Sequence, residues 1–246
     1  MKKIFTFILC LSLFNISNAQ FGKLKKAMDK ATDKAEEKLF GGAKLSQDEI
    51  GKGLKEALNV GVGKAADALS VEDGYLKSTY KILLPEEAQT VINKVKRVPG
   101  FQNADEKMIT LLNRAAENAA TKAKPIFVDA IKKMSIKDAL NILMGEKNAA
   151  TTYLHRNTNQ DLNTAFLPVI QNSLDEVNAR SYWKKIVTAY NKIPLAKKVN
   201  PELDQYVTEK ALVGMFSLVE KKELDIRENQ ASRTSDLLKK VFAKQD

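Results

Sequence analysis

From Ala211 to Val219, apolar side chains fall all round the helical wheel and no residue is charged. A helix of that kind is buried on every side, so the rest of the chain must wrap it. The remaining sequence is suited to that task. Apolar residues recur at three- and four-residue spacing almost throughout, with no alternating strand pattern and no internal repeat of fixed period. The expected fold is all-α: about nine or ten helices, of typical length about 10–14 residues, around a buried central helix near residues 203–219.

The first residues set the compartment. Lys2 and Lys3 precede a largely apolar run from Ile4 to Ile16, and Ser17-Asn18-Ala19 supplies the small residues of a cleavage site. This is the three-part pattern of a secretory signal peptide, with cleavage expected after Ala19. The apolar run is short for a membrane anchor of about 20 residues. Cys10, the only cysteine, lies inside it, so the mature chain is expected to have no thiol and no disulfide. Loss of Lys2 and Lys3 takes the formal charge from +10 to +8. A basic exported protein meets anionic lipid, cell-wall polymer or acidic proteins, and export disfavours nucleic acid as a partner. No later stretch is apolar enough to span a bilayer. Periplasm and full secretion both remain open, as does peripheral membrane contact.

Residues 20–44 form a charged arm, helical or mobile, with Leu24, Ala27, Met28, Ala31, Ala35 and Leu39 at helical spacing. A single all-α domain follows, over 45–246. Ser46-Gln47-Asp48-Glu49 opens it with a capping box, and the helix it starts is expected to reach Leu69. Gly51, Gly53, Gly61 and Gly63 weaken that helix by roughly 1 kcal/mol each against alanine, which points to close neighbours. Asp73-Gly74 marks a turn, and Pro85 opens a helix that Pro99-Gly100 stops. A helix from Asp105 to Ala123 is interrupted at Pro125, and Ser135 with Asp138 suggests a fresh cap. Ala149–Asn157 reads as a short helix, and Leu162–Leu174 as another, kinked or broken near Pro168. Further helices are expected over Tyr182–Lys192, from Pro201, and from near Thr234.

Catalytic equipment is sparse. His155 is the only histidine, which excludes metal sites built on two histidines of one chain. A Ser-His-acid triad would have to use it, but Tyr153-Leu154-His155-Arg156 reads as a helix, not a nucleophile elbow. There is no P-loop or dinucleotide fingerprint, and no cofactor or metal is implied. Six charged residues lie in or beside apolar helical runs: Arg114, Glu117, Asp129, Arg227, Arg233 and Asp236. They could form a polar pocket, or ion pairs and caps that fix helix register. Arg180, Lys184, Lys185, Lys192, Lys197 and Lys198 make a basic stretch free of acidic residues, around Trp183, Ile186, Val187 and Tyr190. Either the aromatic face enters the core and the lysines are solvated, or the stretch is a surface for anionic lipid or polymer.

Five strings occur in order: Asn113-Arg114-Ala115-Ala116-Glu117, Pro125 to Ile131, Ala149 to Tyr153, Tyr206-Val207-Thr208, and Arg233 to Leu238. Together they resemble a family of exported bacterial proteins, domain of unknown function 4197, over about Leu45 to Phe242. The resemblance implies bacterial origin and an envelope location, and carries no catalytic residues. Gln230 stands in the loop before Arg233 where the family pattern leads one to expect a proline.

Three functional expectations follow. The first is a non-enzymatic envelope protein that binds a small ligand, an anionic lipid or polymer, or a protein. The second is a hydrolase or lyase in which Asp129, Arg114 and Glu117 converge in one cleft. The third is a structural subunit that docks through its central helix or its arm.

Overall fold

The computed structural model describes residues 46–195 and 203–243. The signal peptide, Cys10, the arm and Lys197 and Lys198 lie outside those residues. All the described residues belong to one unit, Leu45–Asp246. It contains no strand among the described residues, which form nine α-helices and one short 3-10 turn.

Helix α1 spans Gln47–Leu69 and starts at the expected capping box. The Ser46 amide donates to Glu49 Oε2 at 2.8 Å, and the Glu49 amide donates to Ser46 Oγ at 3.2 Å. Its four glycines are buried and face four different neighbours, identified by the side chain an added Cβ would approach: Ile136, Val241, Lys222 and Lys124. At Gly53 that Cβ would lie 2.6 Å from Val241 Cγ2, so only there does the packing require a glycine. A ladder of turns leads from α1 to α2 (Glu86–Val95). Asp73 sits there at φ +67°. At the next residue a Cβ would come within 2.6 Å of the Ala68 carbonyl oxygen, which explains Gly74.

Helices α3 (Ala104–Ala120) and α4 (Ala123–Lys133) break where Pro125 enters the first turn of α4. Their small residues Ala115, Ala116, Ala119, Ala120 and Ala123 are fully buried and let neighbouring helices approach closely. The Ser135–Asp138 capping box opens α5 (Ile136–Leu143) as expected.

Helix α6 departs from expectation. It is one unbroken helix, Ala149–Glu176, with Pro168 inside it. Leu154, Thr158, Leu162, Phe166, Ile170 and Leu174 are buried at every fourth position, a continuous seam worth more than the proline takes away. Pro168 and Thr164 are exposed, so the carbonyl four residues before the proline is released to water rather than to the core.

Helices α7 (Ala179–Asn191), α8 (Asp204–Glu228) and α9 (Asp236–Phe242) complete the unit. Helix α8 packs along both α6 and α1, and α4 also joins those two. It is central, as expected, but not enclosed all round. Val213 is 63% exposed and Ser217 is exposed, because no element among the described residues covers that side. Phe216 packs inward, edge-on to Phe127 with ring centroids 5.5 Å apart.

Candidate functional site

The six polar-pocket candidates do not share a pocket. They divide into two clamps and two exposed carboxylates. In the first clamp, Glu117 is buried and accepts the backbone amides of Tyr75 and Leu76 at 3.1 and 3.2 Å. Arg114 Nη1 donates to its other oxygen at 2.6 Å, and Arg114 Nη2 donates to Asp73 at 2.8 Å. Hydrogen bonds from Lys77 and Arg114 hold the Asp73 carboxyl below its ordinary range. Burial, reinforced by the Glu117 charge, pushes the Tyr75 phenol far up. It therefore remains a donor, to the Ala211 carbonyl at 2.8 Å. One turn earlier on α3, Asn113 bonds both the amide and the carbonyl of Ile82, each at 2.8 Å, as a neighbouring strand would. The Asn113-to-Glu117 string thus pins the 72–84 segment.

The second clamp joins three helix ends. Glu223, buried on α8, accepts the Ala150 amide at 2.9 Å and the Thr151 amide at 2.8 Å, at the N-terminus of α6. Asn148 makes no side-chain cap there, so Glu223 supplies one from another helix. Arg227 donates to Glu223 at 3.0 Å and to the Ile142 and Leu143 carbonyls at the end of α5. Arg233 donates to the Ile226 and Arg227 carbonyls at the end of α8, at 3.0 and 2.9 Å. Each charge sits at the helix end whose dipole favours it. Asp129 and Asp236 are solvated, near Lys132 and Lys239 at 3.8 and 3.4 Å. The cleft of Asp129, Arg114 and Glu117 that a hydrolase would need does not form.

On α7, Trp183, Ile186, Val187 and Tyr190 are buried, while Lys184, Lys185 and Lys192 are exposed. Arg180 pairs with Asp175 at 3.1 Å and reaches Asp204 at 3.8 Å. The aromatic face has entered the core, and the basic side of α7 is a solvated one.

A recessed surface lies elsewhere, on the outer ridge of α8. Two grooves flank it and share Val213 and Ser217. The first, of about 810 Å³, lies between α6 and α8 and carries His155, Arg156, Asn159, Glu209 and Glu220. His155 lies against Phe216, with ring centroids 4.7 Å apart. Glu209 and Glu220 are eleven residues apart on one helix, about 16 Å along its axis. That exceeds the roughly 5–9.5 Å between the carboxyl groups of a glycosidase pair. The second groove, of about 730 Å³, lies between α8 and residues 79–86, with Tyr80, Leu83, Tyr206 and three lysines: Lys81, Lys210 and Lys221. The ridge therefore separates charge, with glutamates toward α6 and lysines toward the 79–86 wall. Among the described residues, no cluster of His, Cys, Asp or Glu could hold a metal, and no helix is long and apolar enough to cross a membrane.

Sequence reading missed these groove residues because Val213 looks like core and the lysines look like ordinary solvated charge. Glu223 was missed too, although its place four residues before Arg227 on a helix was a usable sign. No curated protein and no solved structure matches the chain. A family model described as "Protein of unknown function (DUF4197)" matches residues 44–243, and the chain belongs to that family.

Proposed function

We propose that the protein is a non-enzymatic binding protein of the bacterial envelope, working after export and recognising its ligand along the outer ridge of α8. The observation that carries this reading is Val213, 63% exposed within the uncharged stretch of α8, at the lip shared by two grooves. Grooves of this size are in the range of small-ligand and short-segment sites. The signal-like N-terminus supports export, and the arginines and glutamates best suited to chemistry are already committed to holding helix ends and the 72–84 segment.

Native mass spectrometry of the protein exported by its own signal and purified gently tests the proposal. The expected mass is that of residues 20–246 plus a reproducible adduct, and Val213→Arg removes the adduct while leaving the circular dichroism spectrum unchanged. A bare chain in both samples, or an adduct indifferent to Val213→Arg, overturns it.

A further inference from the structure

We infer that the groove between residues 79–86 and α8 takes an extended acidic peptide segment, apolar in its middle and acidic at both ends. The inference rests on the binding reading above and specifies its ligand. Tyr206 Oη donates to the Leu83 carbonyl at 2.8 Å, and a Cβ added at Gly214 would lie 3.3 Å from Tyr80 Cβ. The wall therefore runs antiparallel to α8. Ile82 and Leu84 are buried, while Lys81 and Leu83 are exposed, the alternation of an extended chain.

The charges are placed at intervals. Lys81, Lys210 and Lys221 face the groove with a single carboxylate, Glu86, and none of the three joins an ion pair among the described residues. Lys210 and Lys221 are eleven residues apart, about 16 Å along the helix. Between them stands Val213, 63% exposed, and Leu83, 55% exposed, lies on the wall level with Tyr206, just beyond Lys210. An amphiphile with one head group would meet one cation and leave the other bare. A polyanion without side chains would leave the apolar centre uncovered. A peptide of about five extended residues spans the same 16 Å and presents both kinds of group. The wall also offers it main-chain partners. The Leu83 amide and the Lys81 carbonyl, on the edge opposite to Ile82's bonds with Asn113, make no hydrogen bond among the described residues. Strand addition to such an edge gives affinity, and the flanking side chains give selectivity.

Fluorescence anisotropy tests this with a dye-labelled heptapeptide of two glutamates, three valines and two glutamates, titrated with the mature protein. Saturable binding is expected, weakened about tenfold or more by Lys210→Glu with Lys221→Glu, and weakened by added salt. The same peptide with lysines in place of glutamates should not bind. Absence of saturable binding, binding unaffected by the double charge reversal, or preference for phosphatidylglycerol vesicles over the peptide overturns the inference. If the peptide fails while a native adduct is still lost in Val213→Arg, the peptide class is wrong and the binding reading stands. If the adduct is missing as well, both fall.

Discussion

Alanine should stabilise the protein at one glycine of α1 and not at another. In a helix interior, glycine to alanine gains about 1 kcal/mol from backbone entropy alone. At Gly61 the new methyl would lie 3.8 Å from Lys222 Cβ and 3.9 Å from Ile226 Cδ1, ordinary contact distances. It would enter a small apolar void of about 20 Å³ beside Leu54, Val219 and Phe242. Burying one methyl adds up to about 0.8 kcal/mol, so Gly61→Ala should stabilise by roughly 1–2 kcal/mol. At Gly53 the same backbone gain meets Val241 Cγ2 at 2.6 Å and Leu237 Cγ at 3.2 Å. Val241 is buried and β-branched, with one favoured rotamer in a helix, so α9 itself must shift. Overpacking of that kind costs about 1–3 kcal/mol, which leaves Gly53→Ala between neutral and about 2 kcal/mol destabilising. Urea unfolding of residues 20–246 measures both, provided the slope is unchanged so that midpoints report stability. In thermal melts, each kcal/mol is worth about 2–4 °C for a chain of this size. If Gly53→Ala stabilises as much as Gly61→Ala, the packing of α9 on α1 described above is wrong.

Three further outcomes are expected. Glu223→Ala removes the acceptor of two helix-start amides and leaves Arg227 buried without its carboxylate, so urea unfolding should show a loss of about 3–5 kcal/mol. Pro168→Ala should stabilise by about 1–3 kcal/mol in the same assay, because the exposed ring interrupts a helix and has no burial to lose; destabilisation would refute this. Hydrogen bonds from Ser232 and Asn229 hold the Asp225 carboxyl below its ordinary value of 3.8. A carboxylate lowered in the folded state contributes stability that is fully present above its unfolded value and lost as pH falls through the lowered one. Melting temperature should therefore drop below about pH 4, and Asp225→Asn should flatten part of that drop; an identical acid profile in the variant would count against the Ser232 contact.

Local signals were legible where the physics is local. The capping boxes at Ser46 and Ser135 involve residues three apart, and both helices start where those boxes predict. The Pro125 break is local in the same sense. The continuity of α6 was not legible, because a proline's penalty is written at one position while its compensation is spread over a seam from Leu154 to Leu174. Burial misled in both directions. Val213 has the composition of core but is exposed, and Glu223 sits in the charged run Glu220-Lys221-Lys222-Glu223 yet is buried. Which charge turns inward depends on where the end of α5 and the start of α6 arrive, about 70–85 residues away in sequence. Of the candidate site, the pairing of Arg114 with Glu117 could be read from their spacing. The groove could not, since it is made by a distant segment lying against a helix.

Asn113 and Glu117 stand one turn apart on α3 and hold the segment before the groove at two points, Ile82 and Tyr75. Everything between those points is a closed loop whose ends are fixed by another helix. Closing a longer loop adds only about 0.6 kcal/mol per doubling of its length. Residues inserted near Ser78 would therefore leave the core untouched and lift or reshape the rim beside Tyr80. The molecule is built so that the calibre of its recess can change independently of its stability, much as an antibody changes its loops while keeping its frame.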